Sequence, residues 1–244
     1  MYKDNFFFLN NMLIIFITFG SHDDYIDAGK RLIQQAKQLN IFTKCILYTS
    51  EDLKKDKEFW NTHQKFIEGN KRGYGYWLWK PYLIKKTMEK MNHGDILLYL
   101  DCGCELTCTR KNELLKCINI VKTDNIIGTL AKAERKWNKM DLLIKLDMNK
   151  NIYLDTNQRQ GGTNMFLVCD KTKNLVNEWY SIGSEYHYID DSPSIIPNGK
   201  FIEHRHDQSI FSLLTKKYNL YSTHTLKNAI YCNRNISGIS KIGH

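Results

Sequence analysis

The sequence predicts an α/β fold with a mixed, mainly parallel β-sheet flanked by helices. An uninterrupted apolar run over residues 14–19 ends in Gly20-Ser21, which is typical of a buried parallel strand followed by a loop. A segment with apolar residues at near-helical spacing and a second β-branched run come next, completing a strand–helix–strand unit of Rossmann-like type. Later, a helical pattern over 82–91 leads directly into another apolar run over 96–100.

Composition bounds the class of protein. The 244 residues suit one large domain, so residues 1–244 are interpreted as a single domain. Hydrophobic residues at 42% and charged residues at 25% are ordinary globular values. The net charge of +9 favours anionic partners such as nucleic acid, acidic membrane surfaces or nucleotide diphosphates. A lysine-rich surface from AT-rich coding explains the same charge, so basicity selects none of these partners.

Cysteines and the first residues bear on location. Seven cysteines without a CxxC pair favour reduced thiols and a cytoplasmic, intracellular protein rather than a zinc site. The apolar stretches 6–9 and 12–17 are interrupted by Asn10-Asn11, and together they are shorter than the roughly 20 apolar residues that cross a bilayer. We therefore expect no transmembrane segment, and peripheral membrane association through basic residues stays open.

The first half of the chain is assigned from its apolar spacing. The first strand is followed by a helix that Asp23 or Asp24 could cap, and residues 43–49 form the second strand. No GxGxxG lies between them, which argues against a nicotinamide dehydrogenase. Residues 51–70 are interpreted as a short helix and a loop. Pro81 suits the first turn of the next helix, because its missing N–H costs nothing there.

The second half follows the same logic. The remaining predicted elements are a helix over 110–122, a strand over 125–130, mixed helix and surface over 132–146, a polar glycine-rich approach over 158–164, a short strand over 165–169, a helix over 173–180, an irregular mobile loop over 185–198, and a helix over 209–217.

Two segments carry chemistry-bearing residues. Residues 72–81 read Arg-Gly-Tyr-Gly-Tyr-Trp-Leu-Trp-Lys-Pro and combine cations with aromatic rings. The apolar run 96–100 ends in Asp101, which places a carboxylate at the C-terminal end of a strand. Ligands of open α/β sheets bind at that edge. Glu105 follows shortly after, where it could assist Asp101 or face solvent.

Four blocks in order resemble a known family. They are Tyr-Gly-Tyr-Trp-x-Trp-Lys-Pro from residue 74, Gly-Asp-Ile-x-x-Tyr-x-Asp-x-Gly-Cys from 94, Gly-Gly-x-Asn-x-Phe from 161, and His-Asp-Gln-Ser-Ile from 206. This set resembles GT-A fold glycosyltransferases of bacterial polysaccharide clusters and large DNA viruses, over residues 14–214. The resemblance implies a GT-A-like sheet and transfer of a sugar from a nucleotide-sugar donor, such as a UDP-sugar, to a glycan or protein acceptor. Nucleic acid is not an expected partner.

The resemblance also implies site residues. Those expected to bind the donor are Thr18, Phe19, Gly20, Arg72, Tyr76, Trp79, Lys80, Cys102, Gly103, Gly161, Gly162 and Asn164. Within this set, the end of the first strand would hold the base and ribose, Arg72 and Lys80 would meet the diphosphate, and the two adjacent glycines would let backbone approach the sugar. The catalytic pair would be Asp207 and Gln208, with Asp207 binding hydroxyls or acting as base. Asp207 is equally suited to a helix N-cap.

A divalent cation, Mn²⁺ or Mg²⁺, is expected on Asp101 from the same resemblance. The family's DxD element aligns with 101–103, and Gly103 replaces its second carboxylate. Either Asp101 works with another ligand, or Lys80 and Arg72 supply the positive charge. A C-terminal histidine is a metal ligand in some such enzymes, which makes His224 and His244 candidates.

Two other functions remain as alternatives. A nucleotidyltransferase shares the fold type and the diphosphate chemistry, but it favours a basic glycine-rich loop where residues 20–24 are acidic. A basic nucleic-acid-binding module with stacking aromatics in 74–79 is less favoured, because acidic residues are interspersed.

Overall fold

A computed structural model describes residues 12–242, and in that part of the chain five strands form one sheet in the order β2-β1-β3-β5-β4. The strands are β1 (Ile14–Gly20), β2 (Lys44–Thr49), β3 (Ile96–Leu100), β4 (Ile126–Ala133) and β5 (Asn157–Leu167). β1 pairs in parallel with β2 and β3, whereas β5 runs antiparallel between β3 and β4. Four strands therefore share one direction, which confirms the predicted α/β fold with a mixed, mainly parallel sheet.

Helices cover both faces of this sheet. Their bounds in the described residues are α1 (Asp23–Gln38), α2 (Ser50–Lys55), α3 (Lys57–Gly69), α4 (Gly73–Tyr76), α5 (Trp79–Met88), α6 (Lys111–Asp124), α7 (Met140–Lys145), α8 (Asn151–Leu154), α9 (Asp170–Ser184) and α10 (Asp207–Lys217). Three 3₁₀ segments lie at Cys108–Arg110, Glu134–Lys136 and Tyr186–Tyr188. α1 and α6 contribute to the apolar core on one face, and α5, α9 and α10 to the core on the other.

Alternation along the strands creates these two cores. In β3, Leu97 and Tyr99 belong to the core under α5, α9 and α10, whereas Leu98 and Leu100 belong to the core under α1 and α6. Successive side chains of a strand point to opposite faces, so a strand covered on both sides is apolar throughout. The unbroken apolar runs at 14–19 and 96–100 therefore reflect the burial of these strands on both faces of the sheet.

Two predictions about element type are wrong. Residues 57–69 form the helix α3 rather than a loop: the Asp56 side chain accepts from the Phe59 amide at its start, and Phe59 and Ile67 bury one face. The glycine-rich stretch 158–164 is part of the long strand β5 rather than an approach to a short one. Its backbone pairs with β3, for example Thr163 with Leu100, and that pairing outweighs the low strand propensity of polar and glycine residues.

The apolar stretch 6–9 and His244 lie outside the described residues. Within residues 12–242, no helix combines the length and apolar character that a membrane span requires.

Glu105 neither faces solvent nor assists Asp101. Its side chain is fully buried and accepts hydrogen bonds from the C-terminal segment, residues 233–241. The donors are the side chains of Asn233 (2.6 Å), Asn235 (3.0 Å) and Ser240 (2.6 Å) and the backbone amide of Lys241 (3.1 Å), with Gln35 of α1 at 3.2 Å. Burial alone raises the pKa of this carboxyl, but these hydrogen bonds outweigh it and lower the pKa to about 2. One carboxylate thus anchors the C-terminal segment to the end of β3.

Glu105→Gln should loosen this anchor. A buried amide NH₂ then faces N–H and O–H donors, so we expect the free energy of unfolding at neutral pH to fall by about 2–3 kcal/mol. The pKa of Glu105 is lowered from 4.5 to about 2, so its stabilisation is complete above the unfolded pKa and is lost as the pH falls toward 2. Denaturant titrations should therefore show the difference from wild type shrinking below a pH of about 4.

The matched control is Glu89→Gln, since Glu89 is a half-exposed partner of Lys85 on the surface of α5. We expect it to change stability by less than about 0.5 kcal/mol. Equal effects of the two substitutions would show that Glu105 is no anchor.

Candidate active site

A cleft lies at the C-terminal edge of β1 and β3, beside β5. It has two adjoining lobes, of about 570 Å³ and about 380 Å³. Phe19, Tyr74, Trp77 and Trp79 line the larger lobe. Six residues are common to both lobes: Asp101, Gly103, Gly162, Arg205, Gln208 and Arg234. Asp101 is the single carboxylate in that shared set, so it marks the junction of the two lobes.

A buried ammonium group between two carboxylates forms the floor of the cleft. Lys80 Nζ lies 3.0 Å from Asp207 Oδ2 and 3.3 Å from Asp101 Oδ1. The side chains of Lys80 and Asp207 are 3% and 4% exposed, whereas that of Asp101 is 44% exposed. The Tyr99 hydroxyl donates to Asp101 Oδ1 at 2.5 Å. Asp101 is thus the member of this group that a ligand can reach most directly.

The charges of this group depend on one another. Burial lowers the pKa of Lys80, but the carboxylates of Asp101 and Asp207 outweigh it, so the net shift is upward and the ammonium stays charged. Burial raises the pKa of Asp207 to about 6, even though Lys80 offsets part of that rise. Burial, followed by the charge of Asp101, raises the pKa of Tyr99, so its phenol remains a donor. A carboxyl that titrates near neutrality is a common feature of active sites.

Gly161 and Gly162 provide the space for both carboxylates. A Cβ at Gly162 would lie 2.1 Å from Asp101 Oδ2, and one at Gly161 would lie 2.7 Å from Asp207 Oδ2. The Asp101 amide also donates to the Gly162 carbonyl at 2.8 Å. These glycines line the larger lobe, and any side chain there would collide with the carboxylates of Asp101 and Asp207.

Lys80 is preceded by a left-handed turn, which includes the short segment labelled α4. Five consecutive residues, 73 to 77, have φ between 52° and 82°. Their backbone is closed by bonds from the Tyr76 amide to the Arg72 carbonyl (2.8 Å) and from the Trp77 amide to the Gly73 carbonyl (3.1 Å). Three of the five are aromatic, and each non-glycine residue in this conformation costs roughly 1–2 kcal/mol. Strain of this kind persists where surrounding packing over-determines it, often at functional sites.

A second strained segment, at His206, packs against this turn. His206, directly before Asp207, has φ 55° and ψ −126°. Its ring stacks on Tyr76 at 5.0 Å between centroids and lies 5.4 Å from the ring of Trp77. The two strained segments therefore pack against each other, and each is followed within a few residues by one member of the Lys80–Asp207 pair.

An aromatic wall closes one end of the larger lobe. The rings of Phe19 and Trp79 stack with centroids 3.9 Å apart, and Tyr74 lies 6.1 Å from Phe19. Thr18 is buried below this wall, and Gly20 packs tightly against the start of α1, so Phe19 is the residue of the first strand end that lines the cleft. Flat aromatic walls of this type accept planar rings by stacking.

The other predicted residues occupy distinct places. Arg72 lines the larger lobe and pairs with Asp191 (3.1 Å) and Glu203 (2.6 Å). Cys102 lines the same lobe. Gln208 accepts from the Gly161 amide at 3.2 Å, which ties α10 to β5. Asn164 is fully buried and donates to the carbonyls of Gln160 (2.8 Å) and Gly161 (3.0 Å), so it holds the strand below the cleft.

Sequence reasoning missed several side chains of the cleft, among them two arginines and a tryptophan. Arg205 and Arg234 line both lobes, and Trp137 lines the smaller one with the Arg205 guanidinium 4.4 Å from its ring centroid. Arg205 stands next to the His-Asp-Gln block, which was a usable signal. Arg234 lies in an irregular C-terminal segment that no periodic pattern marks.

The residues around Asp101 do not fit a divalent cation held by two carboxylates. Asp101 Oδ1 already accepts from Tyr99 and faces the ammonium of Lys80. Within residues 12–242, no group of three or more Asp, Glu, His or Cys side chains is arranged to hold a metal ion. His224 instead pairs with Asp124 at 2.7 Å. The donor set therefore favours ammonium and guanidinium groups as the positive charge of this cleft.

No protein-family model matches the chain, and no curated protein matches it. Among solved structures, it is similar to mouse xyloside xylosyltransferase 1 in the apo form, with 11% identity over 86% of this chain and 83% of that one, and a TM-score of 0.41. It is also similar to a glycosyltransferase involved in the glycosylation of the major capsid of PBCV-1, with 13% identity, coverages of 79% and 81%, and a TM-score of 0.39. Similarities of this size do not assign an activity to this chain.

Lys80→Met should destabilise the protein in a pH-dependent way. Two buried or half-buried carboxylates would then lack their cation, and we expect the free energy of unfolding to fall by about 3–5 kcal/mol at neutral pH. The pKa of Asp207 is already raised from 3.8 to about 6, and without Lys80 it rises further. The folded variant then keeps the Asp207 proton to a higher pH than folded wild-type protein does, so the loss relative to wild type grows as the pH rises above about 6.

Denaturation midpoints from a pH of about 5 to about 8 measure this effect. Adding Asp207→Asn to Lys80→Met should recover part of the loss, because one uncompensated charge is removed. Lys116→Met is the control, since Lys116 is an exposed lysine of α6. A loss that does not vary with pH would contradict the proposed charge balance.

Proposed function

We propose that this protein transfers a sugar from a nucleotide-diphosphate sugar to a hydroxyl acceptor. The observation that carries the proposal is the Asp101–Lys80–Asp207 group, with its half-exposed Asp101 at the junction of two lobes, one of which ends in an aromatic wall. A nucleotide sugar has a planar base, a dianionic linker and a polyhydroxylated ring. The larger lobe offers a matching surface for each.

The larger lobe suits the donor. Tyr74, the partly exposed ring at this end of the lobe, offers a face to a nucleobase, with Phe19 of the buried Phe19–Trp79 stack beside it. The side chains of Lys71, Arg72, Arg205 and Arg234 surround the same lobe and suit a diphosphate. Asp207 lines this lobe beside Gly161 and suits the hydroxyls of the donor sugar, because a fixed carboxylate accepts hydrogen bonds from them.

The smaller lobe suits the acceptor. It is lined by polar side chains including Gln158, Gln160 and Lys132, and it meets the larger lobe at Asp101. An acceptor hydroxyl arriving there would lie against a half-exposed carboxylate, which can accept its proton as the new bond forms. The carboxylates of Asp101 and Asp207 also favour the positive charge that develops at the anomeric carbon when the bond to the diphosphate breaks.

Ligand binding tests the donor assignment. We expect one of UDP-, GDP-, CDP- or ADP-sugars to raise the unfolding temperature, with a stabilisation of about 2.7 kcal/mol at a hundred times Kd. Incubation with that sugar and an acceptor mixture should release the nucleoside diphosphate. Release of inorganic diphosphate from a nucleoside triphosphate would instead indicate nucleotidyl transfer, and stabilisation by none of the sugars would overturn the proposal.

Substitutions at the junction test the chemistry. Asp101→Asn removes the charge of the carboxylate, and Gly162→Ala places a Cβ where Asp101 Oδ2 lies. We expect each to reduce kcat by about 100-fold or more while the fold persists. Asp101→Asn removes the proton acceptor, which contributes about that much, and Gly162→Ala displaces it, and displacements near 1 Å have a similar cost. The controls are Asp147→Asn, which has an 86% exposed side chain, and Gly199→Ala, which has no atom within 4 Å of its Cβ. Full activity in Gly162→Ala would separate Asp101 from the reaction.

A further inference from the structure

The C-terminal segment carries a cation into the cleft. Glu105 holds residues 233–241 against the end of β3, and within that segment Arg234 lines both lobes. Its backbone has φ 52°, a left-handed conformation that non-glycine residues rarely adopt. Asn233 and Asn235, on either side, are both bonded to Glu105, and these two bonds keep Arg234 in its place.

The backbone of Arg234 packs closely against Gly103. The Asn235 amide donates to the Gly103 carbonyl at 2.9 Å, and a Cβ at Gly103 would lie 3.2 Å from the Cα of Arg234. A longer side chain at position 103 would press on this backbone. The glycine two residues after Asp101 and the close approach of the Arg234 backbone are therefore one packing arrangement.

Arg234 also differs from the other arginines of the cleft. Arg72 pairs with Asp191 and Glu203, and Arg205 pairs with Glu203 at 3.3 Å. Arg234 is exposed, and within residues 12–242 no carboxylate lies within 4 Å of its guanidinium. A guanidinium without a paired carboxylate at the lining of this cleft attracts an anion, and its planar donors match two oxygens of a phosphate.

We propose that Arg234 binds the diphosphate of the donor and neutralises it as it leaves, so that nucleotide binding needs no divalent cation. The inference rests on the sugar-transfer function proposed above. In that reaction the bond from the anomeric carbon to the β-phosphate oxygen breaks, and its electron pair stays on the diphosphate. The acceptor oxygen forms the new bond and gives its proton to a carboxylate. Guanidinium N–H groups then offset the charge gained by the diphosphate.

Calorimetric titration with UDP, GDP, CDP and ADP in EDTA, repeated with Mn²⁺, tests this proposal. We expect the preferred nucleotide to bind wild-type protein with the same affinity in EDTA and in Mn²⁺. Arg234→Ala should weaken that binding by about 10- to 100-fold, the loss of charge-assisted hydrogen bonds, and should weaken the matching monophosphate less. Arg234→Lys keeps the charge without the planar donors, so its affinity for the nucleotide should lie between those of wild-type protein and Arg234→Ala.

The control is Lys241→Ala, which removes one positive charge from the same segment outside the cleft and leaves the backbone bond to Glu105 in place. We expect it to bind the nucleotide as wild type does. Gly103→Asp should weaken binding in EDTA as Arg234→Ala does, because it displaces Arg234.

Three outcomes would overturn the proposal: binding that appears only with Mn²⁺, unchanged affinity in Arg234→Ala, or unchanged affinity in Gly103→Asp. Failure of the sugar-transfer function is distinct from these, since wild-type protein would then bind none of the nucleoside diphosphates under either condition.

Discussion

The ammonium of Lys80, held between Asp207 and Asp101, joins three elements of the fold in one buried contact. α5 supplies the cation, the end of β3 supplies one carboxylate, and the start of α10 supplies the other. Removing a charge from water costs several kcal/mol unless its partners are close. This requirement makes the position of each element depend on the other two. It also explains why two strained turns persist here, since both lead directly into the contact.

Three glycines at this site make room for neighbouring groups, because they carry no side chain. At Gly103, Gly161 and Gly162 the backbone is not left-handed, so conformational freedom is not the reason for these residues. The space is instead occupied by the Arg234 backbone and by the carboxylates of Asp207 and Asp101. A sequence motif that contains glycine therefore indicates either a turn or a close approach, and only the neighbours distinguish the two.

Charge in the cleft is divided between a buried floor and an exposed rim. The charge of Lys80 is neutralised by two carboxylates, so its ammonium holds the elements of the site together more than it attracts ligands. The rim holds the guanidinium groups, of which Arg234 faces the ligand space without a carboxylate in the described residues. Glu105 positions Arg234 through its bonds to Asn233 and Asn235, although Glu105 itself does not line the cleft.

The sequence by itself determined the double-sided strands, the carboxylate after β3, and the helix starts near Pro81 and Asp207. These follow from local rules, because strand burial, helix starts and strand ends are written in residues close together along the chain. Only the tertiary structure decided that 158–164 is a strand, that 73–77 is left-handed, and that Glu105 anchors residues 233–241. Each of these depends on partners far away in sequence, such as β3 for β5 and His206 for Tyr76, whose packing overrides local propensity.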